Sequence, residues 1–443
     1  MQAEACIFLG MGKVIQDINI LKFQTKTNNC YVFDAITNNI YQVRQNDLDG
    51  ISNTNFGREN GIRDLESNTP DIRKQVSKNA KTLIIEITEK CNLRCSYCVF
   101  DDESKIKERS HGKKSISLKE AKDSVSSFYE RTNKEEAFIV FYGGEPLLEF
   151  EKIKDIVAHA DTISNKKIKY SITTNGIPLN NEKLEFLIKN NFLITFSIDG
   201  PKTVNDKYRF KKNKKGVFEE LVSKIESIKD NYPEYYSEKV LFNCVINNTE
   251  EIDLINKFFA ESKIIDSKKV RFSAELSNSE EINKHISNAA VELFNETEKK
   301  EILLRPIEQS FIGNLIAKVN HRKLDKYASQ GKKICVPFSN RTYIRSSGEI
   351  QFCERIQDYG VVSSTTKEDL ELASKKIYSE FLSFKKEECS RCFAYNFCEF
   401  CPASFMENGK LNKTTSKIKC DGFRKDVKES IRIYIEKNET EQK

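Results

Sequence analysis

Three cysteines lie within eight residues, in the stretch CNLRCSYC that follows the apolar run LIIEIT. Cys91, Cys95 and Cys98 are separated by three and then by two residues. Thiolates bind zinc and iron–sulfur clusters, but a structural zinc site is closed by four ligands. The nearest histidine, His111, is thirteen residues beyond Cys98. Three thiolates therefore predict a metal centre with one open coordination position, an arrangement that suits catalysis.

A second group of cysteines lies in the C-terminal quarter of the chain. Metal or iron–sulfur ligation explains such clustering better than disulfides, which belong to oxidising compartments and small secreted scaffolds. The three other cysteines, Cys6, Cys30 and Cys244, are scattered, and we expect each to be a small buried apolar side chain. The second group consists of Cys335, Cys353, Cys389, Cys392, Cys398, Cys401 and Cys420.

The composition is that of a globular protein. The 443 residues suffice for two or three domains. No apolar run approaches the roughly 18 residues that a membrane helix needs. The first residues, MQAEACIFLGMGKVIQD, lack the features of a signal peptide, so we expect a cytoplasmic protein. The net charge of +6, from 72 basic and 66 acidic residues, includes no concentrated basic arm, so we expect neither a nucleic-acid nor a membrane partner.

Six short apolar runs alternate with amphipathic stretches from Lys81 to about residue 300. The runs are LIIEIT, AFIVFY, IKYSITT, LITFSI, VLFNCVI and VRFSAE. Between them, stretches such as SLKEAKDSVSSFYERT, EFEKIKDIVAHADTI and NEKLEFLIKNN have apolar residues at helical spacing. This alternation predicts an α/β fold with a parallel sheet buried on both faces. The count fits a partial (β/α)6 barrel over residues 81–300, in which chemistry occurs at the C-terminal ends of the strands.

Polar and glycine residues cluster directly after four of these runs. One such cluster alone would be an ordinary loop with turn residues. Four clusters at the same edge of a parallel sheet predict a functional site there. The clusters are CNLRCSYC, Gly143-Gly144-Glu145-Pro146, Thr174-Asn175-Gly176 and Ser197-Ile198-Asp199-Gly200.

The remaining segments are assigned by their composition. Residues 1–80 form a small N-terminal module, where ILKFQTK, NCYVFDAI and NIYQV predict strands and a polar helical stretch follows. Residues 301–330 form a helical connection. Residues 331–425, with strands in TYIRSS and EIQFC and a helix through LELASKKIYSEFLSF, form a domain organised by metal. Residues 426–443 are a C-terminal helix and tail, with IEKNETEQK expected to be frayed.

These motifs resemble the radical SAM superfamily. Tyr97 precedes the last cysteine of a CX3CX2C spacing, and FYGGEP at 141–146 resembles the second motif of the family. The resemblance implies a 4Fe–4S cluster on the first cysteine group, with S-adenosylmethionine bound at the open iron and cleaved to a 5′-deoxyadenosyl radical. Ser197 and Arg209 would bind the cofactor carboxylate. The implied cofactor-binding residues together are Tyr97, Gly143, Gly144, Glu145, Pro146, Asn175, Ser197 and Arg209.

The second cysteine group resembles the SPASM domain of radical SAM enzymes that act on peptides and proteins. Its spacing is CX12GX4C, then CX2CX5CX2C, then one last cysteine. One departure is the two-residue gap before Cys401, where the family commonly has three residues. A pair of zinc knuckles is the alternative interpretation. The resemblance implies auxiliary cluster I on Cys335, Cys353 and Cys401, and auxiliary cluster II on Cys389, Cys392, Cys398 and Cys420.

Further features resemble maturases of Cys-rich ribosomal peptides. The step Cys353-Glu354-Arg355 is frequent there, and residues 1–80 have the size of their winged-helix-like module, to which a leader peptide adds as a strand. Some relatives have an eighth cysteine before Cys335, but DKYASQGKK at 325–333 has none, so cluster I would have an open iron for a substrate thiolate. The resemblance implies a thioether crosslink in a precursor peptide, with a ferredoxin or flavodoxin as electron donor.

Three alternatives remain open. The first is carbon–carbon crosslinking or another modification of a peptide. The second is an anaerobic sulfatase-maturating enzyme, which oxidises Cys or Ser to formylglycine and uses a carboxylate beside the second SPASM cysteine as base. Glu354 occupies that place, as Glu rather than Asp, and is therefore the candidate catalytic residue; its other interpretation is a salt-bridge partner. The third is a non-enzymatic scaffold with structural zinc.

Overall fold

The structure is a computed structural model that describes most of the chain. The stretch DKYASQGKK, on which the prediction about an eighth cysteine depends, lies outside the described residues. No helix in the described part of the chain is long and apolar enough to cross a membrane. The described residues are 19–52, 70–98, 112–132, 136–163, 167–275, 279–296, 305–321, 335–356, 359–398, 400–407 and 409–441.

The N-terminal module contains a three-stranded antiparallel sheet in the order of its sequence. Asn28 and Asn38 occupy its two turns with positive φ, a conformation that Asn adopts more readily than most residues. The strands confirm the three that the sequence predicts: β1 (Ile20–Gln24), β2 (Cys30–Asp34) and β3 (Asn39–Val43).

Six parallel strands in chain order form the centre of the molecule. They confirm the predicted strand–helix alternation and the α/β class. The strands are β4 (Thr82–Thr88), β5 (Glu136–Gly143), β6 (Lys167–Thr174), β7 (Leu193–Ser197), β8 (Val240–Ile246) and β9 (Val270–Ala274).

Helices before and between these strands bury apolar faces against them. Ser117 begins one of them with a capping box, because its hydroxyl accepts from Glu120 N (3.1 Å) while the Glu120 carboxylate accepts from Ser117 N (3.2 Å). The helices are α1 (Ile72–Lys78), α2 (Leu118–Arg131), α3 (Phe150–Ile163), α4 (Asn181–Lys189), α5 (Lys202–Tyr208), α6 (Phe218–Asn231), α7 (Pro233–Lys239), α8 (Ile252–Glu261) and α9 (Ser279–Glu296).

Burial alternates along two of the parallel strands, β7 and β8. In β8, Val240, Phe242, Cys244 and Ile246 are buried, whereas the residues between them are only partly buried. β7 alternates in the same way, with Ser197 among the partly buried positions. We call the partly buried side the open face of the sheet. Polar side chains on this face stay accessible near the C-terminal ends of the strands, where the sequence predicts the site.

The cysteine-rich C-terminal part extends the same sheet. A short strand, β10 (Thr342–Ile344), pairs in parallel with β4, and β11 (Ile350–Gln351) pairs antiparallel with β10. The sequence predicts both strands, but nothing local indicates that they join the central sheet. The remaining elements are α10 (Pro306–His321), α11 (Lys367–Cys389), β12 (Met406–Glu407), β13 (Lys410–Leu411) and α12 (Lys413–Glu441).

The end of α12 is anchored to the N-terminal sheet. The prediction that IEKNETEQK is frayed is wrong up to residue 441, because the helix continues to Glu441. Glu439 holds it there by accepting hydrogen bonds from four side chains of the sheet. The donors are Thr25 Oγ1 (3.1 Å), Thr27 Oγ1 (2.8 Å), Asn29 Nδ2 (2.8 Å) and Tyr31 Oη (2.8 Å).

Candidate active site

The first cysteine group lies on a loop directly after β4, at the C-terminal edge of the parallel strands. The backbone of this loop is held by the end of α5, because Ser96 N donates to Tyr208 O (3.0 Å). Cys98 N donates to Cys95 O (3.1 Å), which turns the chain between these two cysteines. The three thiols therefore share one short loop that is fixed by backbone hydrogen bonds.

Two glycines at the end of β5 let the backbone pass close to this loop. A Cβ on Gly143, whose φ is +134°, would lie 2.3 Å from Thr88 O. A Cβ on Gly144 would lie 2.3 Å from Lys90 O. Gly144 N donates to Thr88 O (2.8 Å) and Glu145 N donates to Lys90 O (2.9 Å). Only glycine, which has no Cβ, fits at these two positions. The backbone of the Gly143-Gly144 segment therefore lies directly against the start of the cysteine loop.

Tyr97, Asp199 and Arg209 form a buried hydrogen-bonded group beside the loop. Tyr97 Oη donates to Asp199 Oδ2 (2.6 Å), and Arg209 Nη1 donates to Tyr97 Oη (2.6 Å). Burial raises the pKa of Asp199, while the charge of Arg209 opposes that shift. Among the described atoms, Arg209 Nε is buried without a hydrogen-bond partner. This guanidinium therefore has one N–H group left, from which a ligand carboxylate could accept a hydrogen bond.

Glu145 is buried, and three donors of the protein engage its carboxylate. They are Thr174 Oγ1 (2.7 Å), Leu147 N (3.0 Å) and Asn175 N (2.7 Å). Burial raises the pKa of Glu145, and these hydrogen bonds oppose the shift. The next residue, Pro146, is also buried and begins a short 3-10 turn. Glu145 thus acts on the site by fixing the strand end that carries Asn175.

Asn175 links this strand end to the cysteine loop. Its Nδ2 donates to Asn92 Oδ1 (2.9 Å) and lies 3.8 Å from Cys91 Sγ. Leu93 N lies 3.4 Å from the same sulfur. Burial raises the pKa of Cys91 to about 11. A buried thiol that faces two N–H donors fits a metal-bound thiolate, because the metal keeps the sulfur deprotonated.

A row of polar side chains crosses the open face of the sheet. Ser197 ends β7 and pairs in register with Asn243 of β8, which pairs with Arg271 of β9. With strands about 4.8 Å apart, the row is about 10 Å long. Ser197 is identified from the sequence as a candidate site residue, but Asn243 and Arg271 are not. Both are polar residues that alternate with apolar ones in VLFNCVI and VRFSAE, and this alternation could have placed them on the accessible face of the sheet.

Four C-terminal cysteines line one small cavity. Lys385 and Arg424 also line it, together with three phenylalanines. Burial raises the pKa of Cys389 to about 12, and Lys385 opposes this shift. Thiols, cations and an apolar wall together fit an anionic iron–sulfur cluster. The four cysteines are those that the resemblance assigns to auxiliary cluster II: Cys389, Cys392, Cys398 and Cys420.

Cys335, Cys353 and Cys401 form a third group, in which the charge of Cys401 acts on the other two. Burial raises the pKa of Cys335 and of Cys353, and Cys401 raises both further. The Glu354 carboxylate forms an ion pair with Arg341, and its Oε2 lies 3.5 Å from Cys353 Sγ. Glu354 is therefore a salt-bridge partner of Arg341 and also contacts Cys353. This position is compatible with a structural role and with a role as a catalytic base.

All twelve cysteines that the structure describes are free thiols. Ten belong to the three groups, and Cys30 and Cys244 are buried among apolar residues, as predicted. Cys6 lies outside the described residues. In the described ranges, no three His, Cys, Asp or Glu side chains are arranged around a single metal ion. The ten grouped thiols are thus available as ligands and are not used in disulfides.

Residues 85–257 match the sequence model of the radical SAM superfamily. This chain carries a radical SAM domain. The matched segment begins in β4 and contains CNLRCSYC, FYGGEP and Arg209. The predicted resemblance to the radical SAM superfamily is therefore confirmed over this segment.

Relatives with assigned names match part of the chain. The chain is 33% identical over 186 residues to a cysteine-type anaerobic sulfatase-maturating enzyme of Clostridium novyi, covering 41% of this chain and 48% of the relative. It is 27% identical over 201 residues to the radical SAM cyclopropyl synthase TigE of Paramaledivibacter caminithermalis, covering 42% of this chain and 41% of the relative. The chain thus spans about half the length of the curated relatives it matches.

Solved structures resemble a larger part of the chain. Native anSMEcpe with bound AdoMet superposes with a TM-score of 0.61 and 19% identity, covering 80% of this chain and 98% of that one. The same protein with AdoMet and the Cp18Cys peptide gives a TM-score of 0.56, also at 19% identity, covering 81% of this chain and 98% of that one. At this level of identity the likeness establishes a shared fold.

Proposed function

We propose that this protein is a radical SAM peptide maturase. In this proposal it combines a partial (β/α)6 barrel, a SPASM domain with two auxiliary 4Fe–4S clusters and an N-terminal module that binds the leader of a ribosomally synthesised precursor peptide. The product is a thioether crosslink from a substrate Cys sulfur to a carbon of another residue. A peptide partner is supported by the similar fold of anSMEcpe, which has been solved with the Kp18Cys and Cp18Cys peptides.

The attachment of the N-terminal sheet to the cysteine-lined cavity carries this proposal. Phe33 of β2 packs on Phe397, with ring centroids 5.9 Å apart. Asn396 Nδ2 donates to Ala35 O (2.8 Å) and to Asn38 Oδ1 (2.6 Å). Asn396 and Phe397 lie between two cysteines of the cavity, so the sheet rests on their loop. Within the described residues β3 pairs only with β2, and its other edge supports addition of a leader strand.

The first cysteine group would hold the cluster, and the surrounding residues would place the cofactor. When bound, the cluster and S-adenosylmethionine supply a 5′-deoxyadenosyl radical that removes hydrogen from a C–H bond. Arg209 Nε and the hydroxyl of Ser197 would donate to the cofactor carboxylate. Asn175 would hold the loop by its bond to Asn92. The open face of the sheet would receive the substrate peptide beside them.

The net reaction replaces one C–H and one S–H bond of the peptide by a C–S bond. The hydrogen atom ends on 5′-deoxyadenosine. The thiol proton leaves to a base, for which Glu354 is the candidate because it touches Cys353. The remaining electron leaves to an acceptor of the iron–sulfur class. A ferredoxin or flavodoxin supplies the electron that starts each turnover.

Formylglycine formation in a sulfatase is the second candidate function. The named relatives favour it, because several are anaerobic sulfatase-maturating enzymes. The position of Glu354 between Cys353 and Arg341 also suits a base in that reaction. The N-terminal sheet and its contact with the cysteine loop favour the maturase instead.

Anaerobic reconstitution tests the proposal. We expect about twelve irons per chain and formation of 5′-deoxyadenosine from S-adenosylmethionine and a strong reductant. Zinc in place of iron, or iron without cofactor cleavage, would exclude the radical mechanism. The matched control is Cys244→Ala, which removes a buried cysteine outside the three groups and should keep its iron.

The peptide encoded beside the gene separates the two functions. A thioether product has lost two hydrogens and one alkylatable thiol. A formylglycine product carries an aldehyde that reacts with a hydrazide. A short Cys-rich reading frame next to the gene and a product of the first kind support the maturase, whereas a neighbouring sulfatase and the aldehyde support the second candidate.

A further inference from the structure

Arg271 occupies the end of the polar row on the open face. It pairs in register with Asn243, which pairs with Ser197, so the backbone of Arg271 lies two strands from the candidate cofactor residue. Two strand spacings are about 10 Å. Its neighbour Val270 is buried, whereas Arg271 is exposed on the open face. Arg271 is therefore accessible and close to where the substrate carbon would react.

The charge around Arg271 is unbalanced. Burial lowers the pKa of Arg271, and the nearby charges of Arg355 and Arg341 lower it further. The Glu354 carboxylate opposes this shift. Glu354 is already ion-paired with Arg341. Among the described residues, no carboxylate forms an ion pair with Arg271. Three guanidinium groups thus lie near one carboxylate and near the thiols of Cys335 and Cys353.

A guanidinium beside two like charges is electrostatically unfavourable in the free protein. A carboxylate that entered this place would relieve the repulsion and accept two parallel hydrogen bonds from the planar guanidinium. Arg341 is engaged elsewhere, because the charges of Glu354, Cys353 and Cys335 all act on it. Within the described residues neither Arg271 nor Arg355 has an ion-pair partner, and Arg271 is the one that lies on the open face of the sheet.

We infer that Arg271 binds a carboxylate of the substrate peptide, from an Asp or Glu side chain near the residue that is modified. This inference rests on the proposed function, since it assumes that a peptide enters the open face. It assigns substrate selection at the reaction site to Arg271, separately from recognition of the leader by the N-terminal sheet.

A binding experiment without reductant tests this role. The reconstituted full-length protein with S-adenosylmethionine is titrated against two fluorescein-labelled, amidated peptides, Gly-Ser-Cys-Gly-Asp-Gly-Gly and the same sequence with Asn in place of Asp. Fluorescence anisotropy should show the Asp peptide binding about tenfold more tightly, with the difference shrinking as salt is added. Arg271→Met should abolish the difference, and Arg271→Lys should keep part of it.

The matched control is Arg73→Met, which removes an exposed arginine of α1 and should leave the preference unchanged. Equal affinity of wild-type protein for the two peptides, including no binding of either, overturns the inference, as does a preference that survives Arg271→Met. Formation of 5′-deoxyadenosine is measured separately on the same preparations. Turnover without the preference defeats only this inference, whereas the preference without turnover defeats only the proposed function.

Discussion

The hydroxyl of Tyr97, one residue before a cluster cysteine, donates a 2.6 Å hydrogen bond to Asp199 at the end of the fourth parallel strand. Asp199 Oδ1 also accepts from Val245 N (3.0 Å) on the next strand. Arg209 completes the group by donating to Tyr97. The cysteine loop is therefore tied to the strand ends through side chains that are far apart in the sequence.

Removing Asp199 should destabilise the protein strongly. Asp199→Ala leaves the buried charge of Arg209 without its carboxylate, and we expect a loss of about 3–5 kcal/mol in the free energy of unfolding. Tyr97→Phe removes only the hydroxyl and should cost about 1–3 kcal/mol. Anaerobic urea unfolding measures both. Asp123→Ala breaks an exposed ion pair with Lys119 and should change the free energy of unfolding by less than about 1 kcal/mol. If Asp123→Ala destabilised the protein as much as Asp199→Ala, the special role of the buried Asp199 would be contradicted.

The glycine at the junction of the two motifs should be essential for cofactor cleavage. Gly144→Ala places a Cβ 2.3 Å from Lys90 O, so the backbone must shift beside Cys91. A displacement of about 1 Å at the site can lower turnover about 100-fold, and we expect a loss of this size in 5′-deoxyadenosine formation. Gly313→Ala is the control, because its Cβ meets no atom within 4 Å in α10. Normal activity of Gly144→Ala would refute the close approach.

The three cysteine groups should lose iron independently. Cys389→Ala and Cys335→Ala should each lower the iron content by about four atoms per chain, because each removes a ligand from a different group. Cys91→Ala should lose a similar amount and all formation of 5′-deoxyadenosine. Iron and sulfide analysis, with electron paramagnetic resonance of the reduced protein, checks this. A single variant that lost all iron would show that the groups do not bind separate clusters.

Docking of the N-terminal sheet should depend on pH through Glu439. Burial raises the pKa of Glu439, but the hydrogen bonds from Thr27, Asn29, Tyr31 and Thr25 outweigh it and lower the pKa below the model-peptide value of 4.5. A lowered folded-state pKa means that this stabilisation is present above about pH 4.5 and is lost as the pH falls through the folded-state value.

Hydrogen exchange measures this dependence. Protection factors of the amides in β1 and β2, corrected for intrinsic rates, should fall in acid in the wild-type protein. In Glu439→Gln they should be lower at neutral pH and change less with acid. Glu436→Gln, on the same helix but paired with Arg432, is the control and should behave as wild type. A wild-type acid response in Glu439→Gln would assign the effect to another group.

Glu354 should affect the product more than cofactor cleavage. Glu354→Gln keeps the shape of the side chain beside Cys353 but removes the base and the partner of Arg341. General-base catalysis contributes about 100-fold or more, so we expect modified peptide to fall by about that factor while 5′-deoxyadenosine still forms. Mass spectrometry and chromatography of the two products measure the split. Glu349→Gln, which pairs with Arg345, is the control, and parallel loss of both products in Glu354→Gln would assign it a structural role.

The sequence by itself determined the local features. Apolar runs and helical spacing located the six parallel strands and their helices, because such periodicity reports which side of an element is buried. Thiol spacing separated two groups of cysteines, and the family resemblance divided the second group between two clusters. The four cysteines around the small cavity are those that the family resemblance assigns to one cluster.

Only the tertiary structure decided the contacts between distant segments. Pairing of β10 with β4, the bond from Tyr97 to Asp199 and the four donors to Glu439 depend on packing of segments separated by about 100 to 400 residues, and no local pattern encodes them. The same holds for Arg271, which lies six strands from β10 in the sheet yet close enough to Arg341 for the two charges to interact. The tail shows the reason most plainly: its polar sequence suggests fraying, but hydrogen bonds from the other end of the chain supply the stability that its own residues lack.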